Sequence, residues 1–186
     1  MWCKEKNLNK KAINITAAFL KSASFLMTNL NDILNDPNEM FVDIHLSKFE
    51  EGSPEHKLLT IFSYGVWKDY LAFEKECPEN LKLDINGQAV RKLRKLTLLT
   101  LFAENKNLGF DYALEQLSMD SIVEMEGLVI DLLSEDLVDV KIDEKSSTIY
   151  CTRVSSRCVK KEDVPKVLDS IKAFREKISK ALEEVV

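Results

Sequence analysis

AVRKLRKLTLLTLFAENKNLGFDYALEQLSMDSIVEMEGLVIDLLSEDLVDVKIDEKSSTIYCTRV, residues 89–154, is the stretch whose reading decides the fold. Its first seventeen residues, through Asn105, have apolar positions at helical spacing and a basic first half, the pattern of an amphipathic helix. NKNLG then reads as a turn into a short second helix ending near Leu117. A third helix follows over residues 120–136, with Asp120 as the expected N-cap. Two β-rich arms flank the polar turn Glu144-Lys145-Ser146-Ser147, which predicts a hairpin. Three helices and a hairpin in about 65 residues give the order of a winged helix, a helix-turn-helix relative.

Upstream of this module the chain reads as helical. Residues 11–35 carry Ile13, Ala17, Leu20, Leu26, Leu30 and Leu34 near helical spacing, and Asp36-Pro37 stops the run, because a residue before proline is pushed out of the α region. A short helix is expected in EMFVDIHLSKF. Ser53-Pro54 then supplies an N-cap and a first-turn proline for a helix carrying Leu58, Leu59, Phe62, Val66, Tyr70 and Phe73 to near Cys77-Pro78. These helices and their short polar breaks suggest stacked helical hairpins. The expected fold is mainly α: a helical-repeat segment over residues 1–88, a winged helix over 89–161 and a C-terminal helix over 162–186.

That last helix has the cleanest pattern in the chain. Val164, Val167, Ile171, Phe174, Ile178, Ala181 and Val185 alternate at three and four residues, a heptad seam that Leu168 and Leu182 widen. Such a stripe has to be buried, either against its own domain or in a bundle with helices of partner chains.

Composition limits the function classes. At 186 residues, 45% hydrophobic and 31% charged, the chain can bury a real core, and its net charge of −5 argues against a general nucleic-acid coat. No apolar run approaches the roughly 20 residues of a membrane span. Cys3, Cys77, Cys151 and Cys158 form no CxxC, and His45 and His56 are the only histidines, so a zinc site is not expected. The thiols are expected to be reduced and mostly buried, as in a cytoplasmic or nuclear protein. With no GxSxG, HExxH, P-loop or GxGxxG, neither catalysis nor a cofactor is expected.

Sequence-specific DNA readout is not expected either. The helix that would enter the major groove, residues 120–136, carries Asp120, Glu124, Glu126, Asp131, Glu135 and Asp136 and not one Lys or Arg. Cations collect elsewhere. Residues 140–161 hold Lys141, Lys145, Arg153, Arg157, Lys160 and Lys161 against Asp143 and Glu144, and Arg91-Lys92 with Arg94-Lys95 form a second cluster. Lys141, Arg153, Arg157, Lys160 and Lys161 could make weak RNA phosphate contacts, or pair with the chain's own acidic helix or an acidic partner. Tyr150 could stack on a base or serve as strand core. A hairpin that ends a small sheet leaves an open edge, with Val138, Val140 and Ile142 facing Ile149, Cys151 and Arg153.

Residues 96–157 resemble a PCI domain, the helical-repeat-plus-winged-helix module shared by the proteasome lid, the COP-nine signalosome and translation initiation factor 3. The residues that carry the likeness are Leu98-Leu99-Thr100, Ala103-Glu104-Asn105-Lys106, Phe110-Asp111, Val129-Ile130-Asp131 and Lys141-Ile142-Asp143. Upstream, Asp36-Pro37-Asn38 with Phe41 and Asp43, then Leu58-Leu59-Thr60-Ile61-Phe62, resemble the family's final repeat, so the likeness covers about residues 30–184. Within the superfamily the chain is most like the subunit M family of translation initiation factor 3, with signalosome subunits as the competing reading. The family's longer run of N-terminal repeats has no counterpart here, which implies a fragment, a short form or a reduced ortholog. The resemblance implies a non-catalytic, cytoplasmic scaffold subunit whose partners are other PCI and MPN subunits of initiation factor 3. Through that complex it would contact the small ribosomal subunit and support mRNA recruitment. The resemblance implies the sheet edge at Val140, Ile142, Ile149 and Cys151, and the heptad helix, as the assembly surfaces. A signalosome or proteasome-lid scaffold and an RNA-binding adaptor are the alternatives.

Overall fold

A computed structural model describes residues 29–185, with the side chains of residues 184 and 185 outside that description. Most of the helix expected over residues 11–35 therefore lies outside the described residues. Its described end is α1 (Leu30–Asn35), which stops at Asp36, where the backbone is extended ahead of Pro37. The helix expected in EMFVDIHLSKF is a 3-10 turn over Asp43–Lys48.

The single helix expected from Pro54 to near Cys77 is two helices, α2 (Pro54–Tyr64) and α3 (Trp67–Glu74). Ser53 caps α2 as expected, its Oγ accepting from the His56 N–H at 3.1 Å. The break falls at Gly65, and local geometry explains it. A Cβ there would lie 2.9 Å from Asp69 Oδ2 and 3.0 Å from the Ile61 carbonyl, so only glycine fits the corner. Asp69 in turn accepts from the Val66 N–H at 2.8 Å, starting the new helix.

The centre of the fold is α4 (Gln88–Glu104). The sequence predicts an amphipathic helix, yet eleven of its residues are buried, including Lys92, Lys95 and Thr97. It packs against α1, α3, α5 (Phe110–Leu117), α6 (Ile122–Ser134) and the sheet. Side chains from distant elements close its helix ends. Asn35 Oδ1 accepts from the Ala89 N–H at 3.2 Å, while Lys92 Nζ donates to the Ile33 carbonyl at 3.0 Å. Thus α1 supplies an acceptor to the first turn of α4 and takes a cation at its own C-terminus. Thr97 Oγ1 accepts from the Trp67 N–H at 2.8 Å at the start of α3.

The winged-helix order is present with one strand the sequence reading missed. Between α4 and α5, NLG forms β1 (Asn107–Gly109) rather than a turn, and it pairs antiparallel with β3 (Thr148–Val154). The hairpin partner is β2 (Val138–Asp143), so the strand order is β1-β3-β2 with β3 in the centre. A register shift at Asp139/Val140 sets Val138 opposite Val154 and Arg153 opposite Asp139, not Val138 opposite Arg153. Finally α6 is capped by Ser121, whose Oγ accepts from the Glu124 N–H at 3.3 Å, and not by Asp120.

The chain ends in α7 (Val164–Val185), a helix of 22 residues. Val164, Val167, Leu168, Ile171, Phe174, Ile178 and Leu182 are each at least 42% exposed. Among the described residues the stripe is not packed back onto the chain's own domain.

Candidate functional site

The cations sort into pinned and free. In the α4 cluster, Arg91 pairs with Asp131 of the acidic helix α6 at 2.6 Å and Lys95 with Glu135, its C-cap, at 2.5 Å. Arg94 lies over the Trp67 ring, 4.9 Å from its centroid, and Lys92 is buried at 4% exposure. Desolvation pulls the Lys92 ammonium down to about 8, although Asp36 and Glu39 act in the opposite direction. Each of these four side chains is engaged by a partner within the fold.

The second cluster divides in the same way. Arg153 is clamped on β3 by Asp139 at 2.6 Å and by Asp136. Arg157 reaches inward. Its Nη1 donates to the Gly65 carbonyl and to Thr100 Oγ1, both at 2.7 Å, and its Nη2 donates to the Phe62 carbonyl at 3.0 Å. Burial pulls this guanidinium down to about 10. Arg157 is thus a C-terminal cap for α2 delivered from 92 residues downstream, with its guanidinium turned into the fold. Lys160 stands over the Tyr64 ring at 5.7 Å. Among the described residues Lys141 and Lys161 form no ion pair, and both are exposed, as is Lys160.

The sheet edge is also narrower than expected. Ile149 and Cys151 lie on the central strand, buried at 0% and 6%, with β1 covering Ile149 and the Lys106 carbonyl accepting from the Cys151 N–H at 2.7 Å. They are core, not edge, because β1 occupies the side the hairpin alone would leave open. The outer strands are β1 and β2, and of the four predicted edge residues the two on β2 are Val140, half-buried, and Ile142, 37% exposed. Tyr150, on the other face of β3, is exposed.

Two of the thiols, Cys151 and Cys158, are held in the protonated form by their surroundings. Burial together with a hydrogen bond to Asp43 pushes Cys158 up to about 12, and burial raises Cys151 as well. Cys77 is half-buried, and Cys3 lies outside the described residues. Among the described residues no group of three or more His, Cys, Asp or Glu could hold a metal ion, and no helix is long and apolar enough to cross a membrane. His45 is buried, with Nε2 2.9 Å from Glu39 Oε2.

What remains for function is a set of surfaces: the stripe of α7, the β2 edge and the outer face of α6. Sequence reading missed the last of these. Val123, Ile130 and Leu133 are exposed there at 77%, 58% and 47%. Their spacing of seven and three was the available signal, hidden by the carboxylates between them.

Comparison with known proteins agrees with this geometry. Residues 80–153 match the PCI domain family. Eukaryotic translation initiation factor 3 subunit M of Homo sapiens and that of Mus musculus are each 29% identical over 154 residues, covering 79% of this chain and 41% of theirs. COP9 signalosome complex subunit 7a of Mus musculus is 26% identical over 118 residues, covering 63% of this chain and 41% of that protein. The chain spans about two fifths of the length of the curated relatives it matches.

Proposed function

We propose, from the premise that residues 80–153 are a PCI domain, that this chain is a non-catalytic scaffold subunit of translation initiation factor 3. It joins other PCI and MPN subunits through α7 and the free β2 edge, and within that complex supports mRNA recruitment to the small ribosomal subunit. The single observation that carries the assembly role is α7: a 22-residue helix whose seven large apolar side chains in the stripe all face solvent. Fully burying one such side chain stabilises by about 1.5–3 kcal/mol, so a stripe of this length favours a helical partner strongly, against the cost of association. The initiation-factor assignment leans on the matches to subunit M, and the signalosome match supports a second reading in which the same surfaces serve different neighbours.

The test is an affinity pull-down of the chain from a eukaryotic lysate, read by mass spectrometry, beside Ile171→Asp with Ile178→Asp. Recovery of initiation factor 3 subunits by the parent, and their loss from the double variant, is the expected result. Signalosome or proteasome-lid subunits instead would move the function to protein turnover. Unimpaired recovery by the double variant would sink the bundle role.

A further inference from the structure

The helix that enters the major groove in DNA-reading winged helices is α6, and here its outer face is apolar and acidic. Ile122, Val123, Ile130 and Leu133 are exposed along it, spanning about 16 Å at 1.5 Å per residue. On the side facing the wing, Ile130 and Ile142 floor an open groove whose rim carries Glu126, Asp143 and Glu144 against the lone cation Lys145. The Asp143 carboxylate is held anionic, chiefly by hydrogen bonds from the Ser146 hydroxyl and N–H.

A second observation is independent of charge. Gly127 sits in the middle of α6, where glycine costs about 1 kcal/mol relative to alanine. Its φ is not positive, and a Cβ built there meets nothing within 4 Å. Among the described residues no internal contact requires a glycine at that position. A bare backbone on an exposed apolar helix face lets a second helix approach closely.

We propose that the outer face of α6 is a docking surface for a cationic amphipathic helix of another protein, seated over Gly127 with its apolar stripe on Val123, Ile130 and Leu133 and its cations toward Glu126, Asp143 and Glu144. The inference stands whichever assembly the chain enters, and it uses none of the α7 stripe. Nucleic acid is disfavoured at this face because α6 carries no Lys or Arg to meet phosphate.

The experiment places the photo-crosslinker p-benzoylphenylalanine at Ile130 of the 186-residue chain. Cross-linked segments are identified at peptide level in a eukaryotic translation extract. The expected segment has apolar residues at helical spacing and an excess of Lys and Arg. Its yield should fall at least tenfold both in Gly127→Leu and in Glu126→Lys with Glu144→Lys, and should be unchanged by Ile171→Asp with Ile178→Asp. Gly127→Leu should at the same time raise the melting temperature, which separates lost docking from lost folding. Cross-links to RNA, to a second copy, to residues 1–28 of the same chain or to an acidic segment would overturn the proposal. So would no cross-link, or one that survives Gly127→Leu.

Discussion

Replacing Arg157 by alanine should cost this chain a large part of its stability while removing nothing that touches a ligand. The guanidinium closes three acceptors at once: the Phe62 and Gly65 carbonyls around the end of α2 and the Thr100 hydroxyl on α4. Hydrogen bonds from charged donors contribute about 1.5–3 kcal/mol each, but they share one side chain and do not add. The better guide is the cost of leaving buried acceptors unpaired, about 1–3 kcal/mol each, which with partial relaxation around three acceptors comes to roughly 3–5 kcal/mol. For a chain of this size that is a fall in melting temperature of roughly 6–20 °C at about 2–4 °C per kcal/mol.

Equilibrium urea unfolding followed by circular dichroism measures it, with two companion variants. Arg157→Lys keeps the charge but cannot span three acceptors and should lose about half as much. Arg157→Met keeps the stem and should lose nearly as much as alanine. The loss should be nearly insensitive to salt, since the group is mostly buried and its hydrogen-bond partners are neutral acceptors. An Arg157→Ala chain that unfolds within about 1 kcal/mol of the parent, yet binds single-stranded RNA more weakly, would refute the reasoning and return Arg157 to the RNA surface.

Three further outcomes are expected. Lys92, with its folded value near 8 against the usual 10.5, costs stability while both states are charged; that cost is relieved as pH climbs through this window, because the unfolded chain then binds more protons. The stability of Lys92→Met relative to the parent should therefore fall by about 2 kcal/mol between about pH 7.5 and about pH 10, and a constant difference in urea unfolding would contradict the buried ammonium. Ser121→Ala should cost about 1 kcal/mol and Asp120→Ala less than about 0.5 kcal/mol in the same assay, the reverse order restoring Asp120 as the cap. Single-stranded RNA should show no measurable binding by fluorescence anisotropy at about 0.15 M salt; binding that weakens with salt and is abolished by Lys141→Glu with Lys161→Glu would instead support the RNA adaptor.

The order of helices and hairpin was legible because it rests on local signals: apolar spacing, Ser53-Pro54, the pre-proline Asp36 and the polar turn at residues 144–147. What was not legible depends on partners far along the chain. Asn107, Leu108 and Gly109 have no strand propensity as a group, and they become a strand only because Tyr150, Ile149 and Thr148 present an open ladder. That single pairing turns Ile149 and Cys151 from edge into core. Gly65 was visible as a residue but not as a corner, since the clash that demands glycine comes from Asp69 and Ile61 once both helices exist.

The cations follow the same logic, and it bears on how basic patches in acidic chains are read. A run such as Arg91-Lys92-Leu93-Arg94-Lys95 carries no mark of which partner each charge will meet, because Asp131, Glu135, Trp67 and the Ile33 carbonyl lie 27 to 59 residues away. A domain that buries helix ends against one another leaves carbonyls that need cations and amides that need acceptors, whatever its function. Here α1 and α2 end against Lys92 and Arg157, so two of the chain's most conspicuous basic residues are consumed in closing helices. Cations at these sites raise the cost of unfolding and add nothing to phosphate affinity. The α7 stripe and the outer face of α6 stay open and carry large exposed apolar side chains, the kind of surface that suits a protein partner.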